Sequence, residues 1–121
     1  MKDKRKIVVY VSGAYSGNSK EEIARNIQLA REAAIQLWEI GFAVICPHLN
    51  TIYFEEDCNC TYDDYLNADK EIVKRCDAIF MLENWKSSKG ARVEKLTAQD
   101  NNIPIFYKTE EVEAWYENQT D

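Results

Sequence analysis

Short apolar runs alternate with helix-patterned segments four times along this chain, and that alternation leaves few folds open. Lys6 to Val11 is rich in β-branched residues and reads as a first strand. Ser12 to Asn18 reads as a loop. Ser19-Lys20-Glu21-Glu22 has the capping-box pattern, with serine at the cap and glutamate three residues later. The helix it opens runs to about Ile40, carries Ile23, Ile27, Ala30, Ala34 and Leu37 on one stripe, and stops at Gly41. Phe42 to Cys46 is a second strand, closed by Pro47, and His48 to Cys60 has no regular pattern. Thr61 to Asp64 begins a second helix, whose apolar face is Tyr65, Leu66, Ala68, Ile72 and Val73. Asp77 to Leu82 is a third strand. A third helix starts near Ser88 or Lys89 and ends near Asp100, and Asn101-Asn102 turns the chain into a fourth strand, Ile103 to Tyr107. Thr109 caps a last helix through about Tyr116, and Glu117 to Asp121 is a frayed tail.

Strands that alternate with helices predict a parallel sheet covered on both faces, and right-handed crossovers prune its topologies. The expectation is an α/β, flavodoxin-like or Rossmann-like three-layer sandwich with strand order 2-1-3-4. At 121 residues, positions 1–121 are expected to form one domain. In such a sheet the chain reverses its winding between strands one and three, and ligands bind beside the carboxyl ends of the strands there.

A net charge of -6 argues against a nucleic-acid polymer as partner, because such proteins present a basic face. No apolar run is long enough for a membrane span and none has the form of a secretory leader, so a cytoplasmic protein is expected. The four cysteines, Cys46, Cys58, Cys60 and Cys76, then read as free thiols, two of them in the core. Cys58 and Cys60 could join His48 around a metal, but their spacing fits no zinc pattern, and no metal or organic cofactor is expected.

The residues with chemistry cluster at the predicted switch point. Ser12, Gly13, Tyr15 and Ser16 form a small-residue loop that lets a ligand approach the backbone, ahead of a helix start with free N–H groups. Ser87, Ser88, Lys89 and Gly90 precede another helix. Ser88 reads as a helix cap or as a hydroxyl that binds a phosphate or hydroxyl, two roles that do not exclude one another, and Lys86, Lys89 and Arg92 bring positive charge that suits an anion. Glu94 and Asp69 both fall near strand three, where two carboxyls can divide the work of a nucleophile and a proton carrier. Tyr10 stands where it could donate a hydrogen bond to Glu94. Tyr15, Tyr53, Phe54, Tyr62, Tyr65 and Trp85 could stack on a planar base.

In three places these residues resemble the nucleoside 2-deoxyribosyltransferase superfamily, including the 2'-deoxynucleoside 5'-monophosphate N-hydrolases. The likeness is nearest to a short branch found in bacteria and their phages. Val9-Tyr10-Val11-Ser12-Gly13 is similar to the family's opening strand, whose tyrosine lies in the active site. Asp69, eight residues before Asp77, matches the spacing of the family's active-site aspartate. Ser88 through Glu94 resembles the segment that ends in the catalytic glutamate, with Ser88 where N-hydrolases hold phosphate. Two departures stand out. Gly90-Ala91-Arg92-Val93 replaces a glycine-rich stretch, and Ala14-Tyr15-Ser16 stands where N-hydrolases carry an arginine.

The resemblance implies cleavage of the N-glycosidic bond of a nucleoside or nucleotide, by hydrolysis or by exchange of the base. Glu94 would be the nucleophile, Asp69 would orient sugar hydroxyls or assist proton delivery, and Tyr10 would hold Glu94. A homodimer or higher homo-oligomer is implied as well. The alternative is a module of the same fold that binds or senses a nucleotide without turning it over.

Overall fold

The computed structural model describes residues 2–119. Four parallel strands, β1 (Val8–Ser12), β2 (Ala43–Ile45), β3 (Ala78–Met81) and β4 (Ile105–Phe106), form one sheet in the order β2-β1-β3-β4. The fold is the α/β, flavodoxin-like sandwich expected from the alternation. Register places Val9 opposite Val44 on one side and Ala78 on the other, so β1 is flanked on both edges and buried on both faces.

Helices α1 (Lys20–Ile40) and α5 (Thr109–Glu117) cover one face, and α3 (Tyr62–Lys74) and α4 (Lys89–Asp100) cover the other. A strand's side chains alternate between faces. Val9, Val11, Ala78, Phe80 and Leu82 therefore meet Ala30, Ala34 and Leu37 of α1 and Val112 of α5. Tyr10, Ile79 and Met81 point the other way, against Val73, Cys76, Ala91 and Ala98.

Helix ends follow their caps. The Ser19 side chain accepts from the Glu22 N–H, but Glu22 does not complete the expected box; its carboxylate accepts from Asn18 instead. Gly41 ends α1 at φ 125°, a conformation that favours glycine. Thr61 and Asp64 form a reciprocal capping box at α3. The last helix is capped differently from the expectation. Lys108 is its N-cap, Thr109 lies inside, and the Glu111 carboxylate accepts from the N–H groups of Tyr107 and Lys108. Ala68 is exposed, and the inner place on α3 belongs to Asp69.

The stretch read as irregular, His48 to Cys60, holds a four-residue helix α2 (Pro47–Asn50) and a 3-10 turn at Phe54–Glu56. Strand four is two residues rather than five, Ile105 opposite Ile79 and Phe106 opposite Phe80, and Pro104 before it has no N–H to add to the ladder. Helix α5 reaches Glu117, so the tail is shorter than expected, and Thr120 and Asp121 lie outside the described residues. No helix among the described residues is long and apolar enough to cross a membrane.

Candidate active site

Strand periodicity sets the site. Tyr10 and Ser12 share one face of β1, so both look toward α4. Ser12 closes β1 instead of opening the loop, and it is fully buried. The inner stripe of α4 is Ala91, Glu94, Thr97 and Ala98, a core stripe with a carboxylate in it. Glu94 is 8% exposed, and its Oε1 accepts a 2.7 Å hydrogen bond from the Ser12 hydroxyl. Ser12, expected in direct ligand contact, holds Glu94 and is not among the cavity-lining residues.

Tyr10 is wholly buried and its hydroxyl has no hydrogen-bond partner among the described residues. The Tyr10 hydroxyl lies against the Glu94 carboxylate, as expected, but off good hydrogen-bond geometry, and Ser12 supplies the well-formed bond. Burial, followed by the charges of Glu94 and Asp69, pushes the Tyr10 phenol well above its ordinary value. Burial raises the Glu94 carboxyl to about 7; the Ser12 hydrogen bond opposes the rise and the Asp69 charge adds to it. Burial alone raises Asp69 to about 6. The site thus holds two carboxyls that titrate near neutrality and a phenol that stays protonated.

These groups line a cavity of about 580 Å³ at the carboxyl ends of β1 and β3, a volume typical of small-molecule sites. Gly13, Tyr15, Ser16, Ser87, Ser88, Lys89 and Gly90, all expected at the ligand edge, line the same space as Tyr10, Asp69 and Glu94. Ser88 is the N-cap of α4 and accepts from the Ala91 N–H, while Ser87 donates to the Asn84 carbonyl. Gly13 is needed for packing: a Cβ there would come within 2.5 Å of Leu82 Cδ1 and 2.9 Å of Asn84 Oδ1.

Other expectations part from the structure. Of the three cations, Lys89 alone lines the cavity. Arg92 donates to the Lys86 carbonyl, and Lys86 lies over the Trp85 ring. Trp85 packs with Tyr107 and Lys95 beside β4, away from the site. Tyr53 and Phe54 are exposed outside the cavity, whereas Tyr15, Tyr62 and Tyr65 belong to its wall. His48 is buried, with Nε2 2.8 Å from the Ala14 carbonyl, and burial lowers its pKa, so it serves as a neutral prop under the first loop. No group of three or more His, Cys, Asp or Glu side chains suited to a metal forms among the described residues.

Two asparagines that the sequence reading passed over shape the loop. Asn84 Oδ1 accepts from the Ala14 N–H at 3.0 Å, and its amide reaches Asn26. Asn26 in turn donates to the carbonyls of Tyr15 and Ser16. Asn26 sits seven residues into α1, where a helix-period reading sees only a polar position. Across the cavity, the Tyr15 hydroxyl donates to the Glu55 carboxylate and accepts from the Tyr53 N–H, tying the loop to the 3-10 turn.

A family model described as a domain of unknown function, DUF4406, matches residues 7–107. No curated protein sequence matches. Among solved structures, similarity is found to a 2-deoxyribosyltransferase from the psychrotolerant bacterium Bacillus psychrosaccharolyticus, described as a biocatalyst for the synthesis of antiviral and antitumoral nucleosides. The two share a TM-score of 0.60 at 16% identity, over 81% of this chain and 69% of that one. At that identity the likeness is one of fold.

Proposed function

We propose that this chain, which belongs to the DUF4406 family, cleaves the N-glycosidic bond of a 2'-deoxynucleoside or its nucleotide, with Glu94 as nucleophile. The observation that carries the reading is the placing of two carboxyls raised by burial to about 7 and about 6, with a buried phenol against one of them, on the wall of one cavity. Buried polar groups left without partners are costly, and a polar ligand removes that cost. The fold shared with a 2-deoxyribosyltransferase supports the same reading.

Ionised Glu94 attacks C1' while the bond to the base nitrogen breaks, through a transition state with oxocarbenium character. The product is a glycosyl ester on Glu94. Water then releases the sugar, or a second base takes it and the carboxylate is freed. Burial raises Glu94 further than Asp69, and the Asp69 charge adds to the rise in Glu94. That order favours Asp69 as acceptor for a sugar hydroxyl over Asp69 as proton donor. The Tyr10 hydroxyl, beside Glu94 but without a well-formed bond to it, can turn to ligand or developing charge. Residues 1–121 act on this reading as one catalytic domain.

Self-association is part of the proposal. Ile35, Trp38 and Leu49 are exposed around a groove that also includes Val44 and Cys46, beside the sheet's open edge at β2. A second copy would cover this apolar strip.

The test is incubation with a panel of deoxynucleosides and monophosphates, with and without a free acceptor base, followed by chromatography. Base release by the wild type and loss of at least ~10³-fold in Glu94→Ala are expected for a missing nucleophile. Ligand that binds and is recovered intact would make the chain a binding module and overturn the catalytic reading.

A further inference from the structure

Cys58 and Cys60 stand two residues apart, between the 3-10 turn Phe54–Glu56 and α3. All four cysteines are free, but they fall into two environments. Cys46 and Cys76 are buried, and burial pushes both thiols up to about 11. Neither meets solvent as thiolate, which makes both inert. Cys58 is half-buried and Cys60 is exposed. Cys60 is part of the cavity wall together with Tyr65, Asp69 and Glu94.

The two thiols lie against one another, and the Tyr65 hydroxyl lies against Cys58. Contact with Cys60, and then with Tyr65, draws the Cys58 thiol below its ordinary value, while Cys60 is raised by the same contact. The Tyr65 hydroxyl is buried and has no partner of good hydrogen-bond geometry among the described residues, so the Cys58 sulfur is its polar neighbour. One lowered thiol beside a second is the arrangement of an attacking and a resolving cysteine.

The backbone permits the two sulfurs to join. Residues 58–61 belong to no helix or strand. Cys58 is anchored by its N–H to the Phe54 carbonyl, and Thr61 is anchored by its N–H to Asp64. An extended chain spans roughly 7 Å over two residues, and a disulfide needs about 4.4–6.8 Å between Cα atoms. A slight turn at Asn59 closes that gap without breaking any ladder.

We propose that Cys58 and Cys60 are a modification site on the wall of the cavity, a dithiol that a hydroperoxide converts to an intramolecular disulfide. The Cys58 thiolate attacks the distal oxygen of the hydroperoxide. The O–O bond breaks, an alcohol leaves with the proton, and Cys58 becomes a sulfenic acid. Cys60 then attacks the Cys58 sulfur, the S–O bond breaks, and hydroxide departs with the Cys60 proton as water. Two thiols have lost two electrons in all, and the hydroperoxide has gained them. Closure takes the Cys58 sulfur from Tyr65 and draws Cys60 from the cavity wall, so ligand access changes with oxidation. The site stands on the thiols alone and does not depend on the glycosidic reading.

Treating the native protein with hydrogen peroxide, then counting thiols and mapping peptides by mass, tests the proposal. Two thiols are expected to react fast with a chromogenic disulfide before treatment and none after. The peptide holding Cys58 and Cys60 should be lighter by two hydrogen atoms and be restored by dithiothreitol. Cys60→Ser should halt at the sulfenic acid, captured on Cys58 by dimedone, and Cys58→Ser should leave Cys60 roughly ten-fold slower toward peroxide. Oxidation at Cys46 or Cys76 at equal rates, disulfide-linked dimers in place of the lightened peptide, or absence of the dimedone adduct in Cys60→Ser would each overturn it. The wild-type measurement needs no substitution, so a folding defect in a variant cannot mask the result.

Discussion

Replacing Glu94 by Gln isolates the cost of burying a charge at this site. Burial takes the carboxyl from 4.5 to about 7, with the Ser12 hydroxyl pulling the other way and Asp69 adding to the rise. One pKa unit corresponds to about 1.4 kcal/mol, so ionised Glu94 costs the fold roughly 3 kcal/mol relative to its protonated form. The unfolded chain ionises near 4.5 and the folded chain only near 7. Between those values the folded state binds the extra proton, and stability falls as pH rises. Below the lower value both states are protonated and the penalty is absent. Gln cannot ionise, so the variant lacks this share of the pH dependence. If the new amide finds no partner it costs about 1–3 kcal/mol, but that cost is the same at every pH and cancels in the comparison. Asp69 is present in both proteins, and its own contribution is shared. Urea unfolding of wild type and Glu94→Gln, at the acid end of this window and again about one unit above it, reads the effect. The variant is expected to gain roughly 3 kcal/mol on the wild type between the two conditions. A change below about 1 kcal/mol would mean that Glu94 is solvated in the folded protein, and the reasoning would fail.

Three further outcomes follow from named contacts. Ser12→Ala removes the hydrogen bond that opposes the rise in Glu94, so the acid limb of the rate profile should move upward in pH by about half to one unit; an unmoved limb would detach Ser12 from Glu94. Gly13→Ala forces a methyl to within 2.5 Å of Leu82 and should cost about 1–3 kcal/mol in urea unfolding, a loss that an unchanged midpoint would deny. Trp38→Glu puts a charge into the exposed apolar strip and should convert a self-associating wild type to a monomer in sedimentation. A wild type that sediments as a monomer would remove the basis for assembly through that face.

The architecture was legible because strand and helix periods differ and because three helices begin at a polar cap that the sequence displays, Ser19, Thr61 and Ser88. The switch point followed from strand order, and with it the convergence of Tyr10, Asp69 and Glu94 on one cavity. What escaped was anything decided by neighbours distant in sequence. Ser12 looked like the first residue of a loop, yet β3 extends the ladder one residue further by pairing Met81 with it, and that register turns its hydroxyl to Glu94. Asn26 and Asn84 are 58 residues apart, and only the folded sheet edge brings their amides together. Ala68 was expected on an apolar face by spacing alone, and the inner position went to Asp69 because α3 turns that side toward the cavity. Lys86 and Arg92 look like ligand cations in a list of charges; their side chains turn to an aromatic ring and to a carbonyl instead.

The order in which the two carboxyls titrate bears on how the site works. The residue resemblance leaves Asp69 two roles, orienting a hydroxyl or delivering a proton, and these demand opposite charge states. With Glu94 raised further than Asp69, a mechanism that needs ionised Glu94 and protonated Asp69 would use a minor form of the protein, populated between the two values. A mechanism that needs both ionised has nearly all of the protein available about one unit above Glu94. The second predicts that kcat/KM rises with pH through about 7 and then levels. The first predicts a bell with its crest between the two values. Asp69→Asn separates them further. If Asp69 accepts a sugar hydroxyl, the asparagine keeps an acceptor and removes the charge that raises Glu94, so KM should rise while the acid limb moves down in pH. If Asp69 delivers a proton, the same variant should lose kcat and flatten the alkaline fall, and the assignment of Asp69 as hydroxyl acceptor would be overturned.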